Sequence, residues 1–308
     1  MNSIKIFCPA SVANLSCGFD ILGLCLESVG DEMIITKIEE KKIIIKINSE
    51  YDLTEDPLKN AAGISVIKML EFLNFDECGF RIQIDKKIKP GSGIGSSAAS
   101  SAGSVYGVNK LLGNPLTKKQ LITFALEGEK ICSNTAHADN ISPLIYGGIT
   151  IVRNNKTLDI VKINTSNSLF ISIMHPQIEI KTKDSRKLIK RKVDFSESVQ
   201  QSANLAGFIT GLFHEDYDLI KRSCNDLLIE PYRSILIPEF DKLKKIAYSN
   251  NSIGFGISGS GPSMFSLTKN FEDAISVEKE LQKHYIRKKI SFKYYISKIN
   301  NEGIKVIN

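Results

Sequence analysis

The stretch KPGSGIGSSAASSAG, from Lys89 to Gly103, holds four glycines and five serines in fifteen positions. Its surroundings decide between a solvated connector and a built loop. Upstream, Phe80, Ile82 and Ile84 alternate with Arg81, Gln83 and Asp85, the period of a half-buried strand. Downstream, Ser96 to Leu112 is alanine-rich and free of proline until Pro115, which stops the helix expected there. The stretch therefore joins a strand to a helix through glycine.

Two familiar phosphate loops fail against it. A G-x-x-x-x-G-K-[ST] loop needs a lysine after its last glycine, and no Gly-Lys dipeptide occurs in the chain. Gly93 to Ala98 fits G-x-G-x-x-[GA], but the acidic residue that would meet a ribose about 20 positions on is missing, since no Asp or Glu lies between Asp85 and Glu127. The physics still favours an anion. Glycines let successive backbone N–H groups turn inward, and a helix starting near Ser96 adds its free N–H groups and positive dipole end. Ser96, Ser97, Ser100 and Ser101 add hydroxyls, and Lys86, Lys87 and Lys89 add positive potential. On local pattern alone, a glycine-serine connector and a phosphate loop both remain open.

Outward from this stretch, 308 residues predict two domains, with a break at the polar turn Arg153 to Thr157 separating residues 1–153 from 154–308. Strands are expected at Ser3 to Phe7, within Glu32 to Ile47, at Ile145 to Val152, at Leu169 to Met174, in the glycine-rich Gly254 to Leu267 and around Phe292 to Ile299. Helices are expected at Ala61 to Phe75, from a capping box Thr117 to Gln120 through Ile131, and at Ser196 to Phe213, Tyr217 to Leu228, Phe240 to Tyr248 and Glu272 to His284. The mixed order in both halves predicts an α+β class. A net charge of +6 without a basic face interleaved with aromatics points to small anionic molecules rather than nucleic acid. Six cysteines without a CxxC pair suit a reducing cytoplasm, and Ile21 to Leu26 is too short to span a membrane.

The run Pro90-Gly91-Ser92-Gly93-Ile94-Gly95-Ser96-Ser97-Ala98-Ala99 closely resembles the phosphate loop of the GHMP kinases, the superfamily of galactokinase, homoserine kinase, mevalonate kinase and phosphomevalonate kinase. Pro9 to Leu15 followed by Gly18-Phe19-Asp20, and Gly256 to Ser263, resemble that superfamily's other two motifs, in the same order along the chain. Within it the details resemble the homoserine kinase family: Ala10 to Asp20 with Gly23, Ala136 to Asn140 with Pro143, Thr182 to Arg186, Glu230 to Arg233, and Ile237-Pro238. Ile94 departs conservatively from the usual Leu or Met, and Asn134-Thr135 replaces a smaller pair common before the histidine.

The resemblance implies ATP-dependent phosphorylation of the side-chain hydroxyl of L-homoserine, with Mg²⁺, for threonine biosynthesis. The implied fold is an N-terminal α+β domain with a left-handed βαβ crossover and a C-terminal ferredoxin-like domain, and members are often homodimers. By the family pattern Pro90 to Ala99 would cradle the ATP phosphates, with Lys86 nearby and Asn60 contacting adenine. Ser97 and Glu129 would hold Mg²⁺. The zwitterionic acceptor needs an anion and a bidentate cation; Asp20, with Asn14 beside it, fits the first and Arg233 the second. His137, Asp139, Asn140, Thr182 and Arg186 complete the candidate acceptor site. Asp139, Asn140 and Arg186 compete for the catalytic role: Asp139 reads as a general base, though an ordinary carboxylate is a weak one for an alcohol, and contact with the substrate hydroxyl by Asn140 and Arg186 is an equal reading.

Each assignment has a plainer counterpart. Glu129 alone reads as a solvated helix glutamate, Asp20 as a turn aspartate and Arg233 as a surface arginine; most cations of KTKDSRKLIKRK read as a solvated face. A GHMP kinase for a different alcohol, and a non-catalytic nucleotide- or RNA-binding protein, are the competing functions.

Overall fold

The computed structural model describes residues 1–133, 137–163, 165, 168–180, 182–190 and 192–307, with the side chains of residues 132, 133, 182 and 183 outside that description. Strand β1 (Ser3–Ala13) alternates buried and part-exposed residues in its first half and is wholly buried in its second. It pairs antiparallel with β2 (Leu22–Ile38), from Ser3 opposite Thr36 to Ala13 opposite Gly23. Strand β3 (Ile43–Asn48), helix α1 (Ala61–Leu73) and β4 (Gly79–Asp85) make a crossover whose strands pair in parallel, Ile43 opposite Phe80. β4 also pairs with β2 and so sits between β2 and β3. The charged Glu39-Glu40-Lys41-Lys42 turn therefore does not close a hairpin.

Helix α2 (Ser96–Leu111) is rich in small residues, with Gly, Ala or Ser at ten of its sixteen positions, and is buried along most of its length. That composition lets α1, α3 (Lys118–Ser133) and the β1–β2 face all approach it closely. The capping box that opens α3 forms as expected: the Thr117 N–H donates to Gln120 Oε1 at 3.0 Å and the Gln120 N–H to Thr117 Oγ1 at 3.4 Å. Short α4 (Ile141–Tyr146) leads into β5 (Ile149–Asn154) and β6 (Asp159–Ile163), a hairpin attached to the start of β2.

The second sheet runs β10-β7-β9-β8, every pair antiparallel. Its strands are β7 (Phe170–Pro176), β8 (Gly254–Ile257), β9 (Met264–Thr268) and β10 (Phe292–Lys298). Between β7 and β8 run α5 (Thr182–Lys187), α6 (Phe195–His214), α7 (Tyr217–Ser223), α8 (Glu230–Arg233) and α9 (Phe240–Ser249). Helix α10 (Phe271–Arg287) joins β9 to β10. This β-α-β-β-α-β order with strands 4-1-3-2 is the ferredoxin-like arrangement expected. The chain then returns to the first sheet, where β11 (Lys305–Val306) pairs with β1.

Three expectations need correction. The polar turn at 153–157 is the tip of the β5–β6 hairpin, so the first sheet continues to Ile163 and regains residues 305–306; the break between the sheets does not fall at 153/154. Ile145 and Tyr146 end a helix instead of starting a strand, because Gly147 and Gly148, both at positive φ, break the chain direction before β5. The helix from Tyr217 stops at Ser223 rather than Leu228, since Asp226 binds the N–H groups of Leu228, Ile229 and Glu230 in a tight turn.

Candidate active site

A cleft of about 570 Å³ lies where the start of α2 meets both sheets' connecting segments. Its wall is the glycine loop, and the loop's shape is fixed from two sides. From below, buried Asp31 on β2 accepts the backbone N–H groups of Lys87 and Ile88 at 2.7 and 2.8 Å and the Lys86 ammonium at 2.6 Å. From behind, Ser258 Oγ donates to the Gly93 carbonyl at 2.7 Å and the Ser263 N–H to the Ser92 carbonyl at 3.1 Å. A Cβ at Gly93 would lie 2.6 Å from the Gly261 carbonyl oxygen, on a backbone at φ +84°. Only glycine fits there. The expectation that residues 259–263 pack behind the loop holds.

Gly95, at φ 71°, caps α2 without a side chain. The unsatisfied N–H groups of the first turn are therefore left for an incoming anion. Pro90, Gly91, Gly93, Gly95, Ser96 and Ser97 all line the cleft. Ser92, Ile94, Ala98 and Ala99 do not: Ile94 and both alanines belong to the core, and Ser92 is buried. Their side chains support the loop instead of meeting a ligand.

Lys86 needs a similar correction. Its ammonium donates to Asp31 Oδ2 and the Ser96 carbonyl, both at 2.6 Å, and to Ser100 Oγ at 3.0 Å. Three N–H groups meet three protein acceptors, so Lys86 fastens the loop to β2 and α2 and holds no phosphate itself. Asp31→Ala would leave that ammonium buried and unpaired, and urea unfolding should show a loss of about 3–5 kcal/mol.

Glu129 lies on α3 and lines the same cleft. Burial raises its carboxyl pKa, and a hydrogen bond from Ser97 works against that rise. It is not a solvated helix glutamate. Asn60 also lines the cleft, but its oxygen caps α1 at the Ala62 N–H and its amide donates to the Thr54 carbonyl.

At the other end, Asp20 meets Arg186 in a bidentate pair, Nη2 to Oδ1 at 2.7 Å and Nη1 to Oδ2 at 3.1 Å. Arg186 is thus tied to the expected ammonium-binding anion and does not stand free for a phosphoryl group. The Asp20 N–H donates to Asn14 Oδ1 at 3.0 Å, and Asn14 Nδ2 to the Gly259 carbonyl at 2.8 Å. Arg233 is buried; its Nη1 donates to the same carbonyl at 3.0 Å. Both guanidiniums lie against the Phe19 ring, 4.9 Å away for Arg233 and 5.4 Å for Arg186. Burial and the neighbouring Arg186 bring the Arg233 pKa down to about 10, so Arg233 remains a cation at neutral pH.

His137 Nδ1 sits 3.4 Å from Asp20, and burial keeps its pKa below the ordinary imidazole range. Asp139 is a second perturbed acid in the cleft. Burial, then the charge of Asp20, push it up to about 7, while it accepts the Asn140 N–H at 2.9 Å. Its loop is pressed onto β2, where a Cβ at Gly23 would lie 1.7 Å from the Asp139 carbonyl oxygen. Asn140 Oδ1 accepts from Ser11 Oγ at 2.8 Å, which leaves its Nδ2 as the group to offer a ligand. The Thr182 side chain, Ala136 and the Asn134-Thr135 departure lie outside the described residues. Sequence reasoning missed Ser11, Phe19 and Asp31. Only Asp31, an acid within an apolar strand, carried a readable signal.

Models of known families match this chain twice: the GHMP kinases N terminal domain over residues 61–148 and the GHMP kinases C terminal over residues 208–287. The chain is 36% identical over 319 residues to a homoserine kinase of Chloroherpeton thalassium, covering all of both sequences. A homoserine kinase of Chlorobium phaeobacteroides is also 36% identical at full coverage of both. Among solved structures, a homoserine kinase from Cytophaga hutchinsonii superposes with a TM-score of 0.95 at 41% identity, covering 100% of this chain and 98% of that one.

Proposed function

Because this chain belongs to the homoserine kinase family of the GHMP kinases, we propose that it transfers the γ-phosphoryl group of ATP to the side-chain hydroxyl of L-homoserine, giving O-phospho-L-homoserine for threonine biosynthesis. The observation that carries this reading is the cluster of Asp20, Arg186 and Arg233 at one end of a cleft whose other end is the α2 loop. A zwitterionic alcohol fits such a cluster: its carboxylate meets Arg233 and its ammonium meets Asp20. A sugar has no use for either charge, which disfavours a GHMP kinase for a neutral alcohol.

The acceptor hydroxyl oxygen forms its bond to the γ-phosphorus as the bond to the bridging oxygen of ADP breaks, and the hydroxyl proton passes to Asp139. A carboxylate titrating near neutrality is matched to that task in a way an ordinary aspartate is not. Asn140 Nδ2 and the N–H groups at the start of α2 hold oxygens as charge spreads over them. Asn60 marks the adenine end. Ser97 and Glu129 suit Mg²⁺, being hard oxygen donors in contact with one another. Among the described residues no group of three or more acidic, histidine or cysteine side chains is arranged to hold a metal ion. When bound, that ion neutralises charge on the phosphates.

A coupled ADP-release assay with L-homoserine, mevalonate, galactose and shikimate tests the reading; equal or better turnover of any other acceptor would sink it. The pH dependence is a second test. Asp139 must be ionised to accept the proton and its pKa is raised, so kcat/KM should climb through about pH 7 and level off above it. A flat profile from pH 5.5 to 8 (about two and a half units around neutrality) would remove Asp139 from the base role. A cytoplasmic setting and a homodimer belong to the same reading. The free thiols of Cys8, Cys17, Cys25, Cys78 and Cys224 agree with the first, and the mass from light scattering checks the second. Among the described residues no helix is long and apolar enough to cross a membrane.

A further inference from the structure

Behind Arg233 lies a second, much smaller cavity of about 10 Å³, room for one water molecule. Ser16, Phe19, Asp226, Glu230 and Arg233 are in its wall. Glu230 and Arg233 belong to the same short helix, α8, and are 7% and 3% exposed. Glu230 Oε2 and Arg233 Nε are both buried without a hydrogen-bond partner among the described residues.

Ser16 Oγ, in the same wall, is a third buried polar atom without a hydrogen-bond partner among the described residues. Lys244 donates to Glu230 Oε1, and Arg233 Nη1 donates to the Gly259 carbonyl. Asp226 uses both oxygens on the backbone of residues 228–230 and takes nothing from Arg233. A Cβ at Gly256 would lie 3.2 Å from Glu230 Oε2 and 3.1 Å from Ser16 Cβ, so the carboxylate and Ser16 come together beside β8. A buried acceptor and a buried donor on residues that share the wall of one water-sized space are the partners a water satisfies together, taking the Nε–H and giving a proton to Oε2. A cation is disfavoured there by the guanidinium.

We propose that one buried water joins Glu230 Oε2 to Arg233 Nε, and that Glu230 is a positioning residue setting the guanidinium plane for the acceptor's carboxylate. The role in catalysis rests on the homoserine reading above; the water itself does not. With the Gly259 carbonyl on one edge, Phe19 along the plane and the water on Nε, Arg233 has one orientation left to present to the cleft.

The test combines a structure with two variants. A high-resolution crystal structure of the wild-type protein should show a water peak within hydrogen-bond distance of both atoms. Glu230→Gln turns its oxygen to Lys244 and presents a second donor, so the water must accept from both sides and the charge-assisted acceptor that orients Nε–H through it is lost. The KM for L-homoserine should rise about tenfold, with kcat and the KM for ATP within about threefold of wild type. Lys244→Met cuts the ion pair but keeps the carboxyl oxygen on the water, so it should leave the homoserine KM within about threefold even where it lowers Tm. No water peak, an unchanged homoserine KM in Glu230→Gln, or equal KM rises in both variants overturns the proposal. Wild-type protein that ignores homoserine yet shows the water peak overturns the functional reading and leaves the water standing.

Discussion

Arg233→Ala should lower kcat/KM for L-homoserine by about 10²–10³-fold while leaving the KM for ATP within about threefold. The size follows from what is lost. Arg233 is a buried cation held by the Gly259 carbonyl and the Phe19 ring, and a charge-assisted contact made in such a place is worth far more than one at the surface. Removing it leaves the acceptor's carboxylate desolvated with nothing opposite. The substrate offers its own control. With 3-aminopropan-1-ol, which is homoserine without its carboxylate, wild-type enzyme should show a comparable loss, and the variant should lose little more. Additive losses would mean that Arg233 acts elsewhere in the cleft.

The second large effect belongs to Asp139. Asp139→Asn preserves size and can still accept the Asn140 N–H, but it cannot take a proton. We expect kcat to fall about 10³-fold with the homoserine KM little changed, and the acid limb of the pH profile to vanish. Should kcat fall less than about tenfold, positioning by Asn140 and the α2 terminus carries the reaction and no base is needed. The neighbouring carboxylate of Asp20 is part of the reason Asp139 titrates where it does. Anything that neutralises Asp20, an acceptor's ammonium included, should pull that pKa down and favour the ionised form at the moment it is needed.

How much of this was legible in the chain depended on distance. The glycine loop could be read because turn chemistry and a helix start are local, and its neighbours Phe80 to Asp85 and Ser96 to Leu112 carry opposite periodicities. The loop's supports could not. Asp31 reaches Lys86 across 55 residues, and Ser11 reaches Asn140 across 129, so neither pair shows in any window of sequence. For the same reason Lys86 reads as a phosphate ligand until its three acceptors are seen. The α4–β5 joint misled because an apolar run with paired glycines looks alike as a strand or as a break. Asp20 and Arg233 both line the cleft, but their coupling through Arg186 and Phe19 is a property of packing and lies beyond the motifs.

The pairing of Ile6 with Val306 has a consequence for how the protein is made. β1 is synthesised long before β11, so its outer edge waits for residues 305–306. At about 5–20 residues per second, that edge stays open for tens of seconds on every nascent molecule. An unpaired strand edge on an apolar sheet is a template for wrong partners. Truncating the final few residues would leave the cleft's chemistry untouched, yet the shortened chains would be expected to clump during synthesis, seen as a shift from supernatant to pellet on expression.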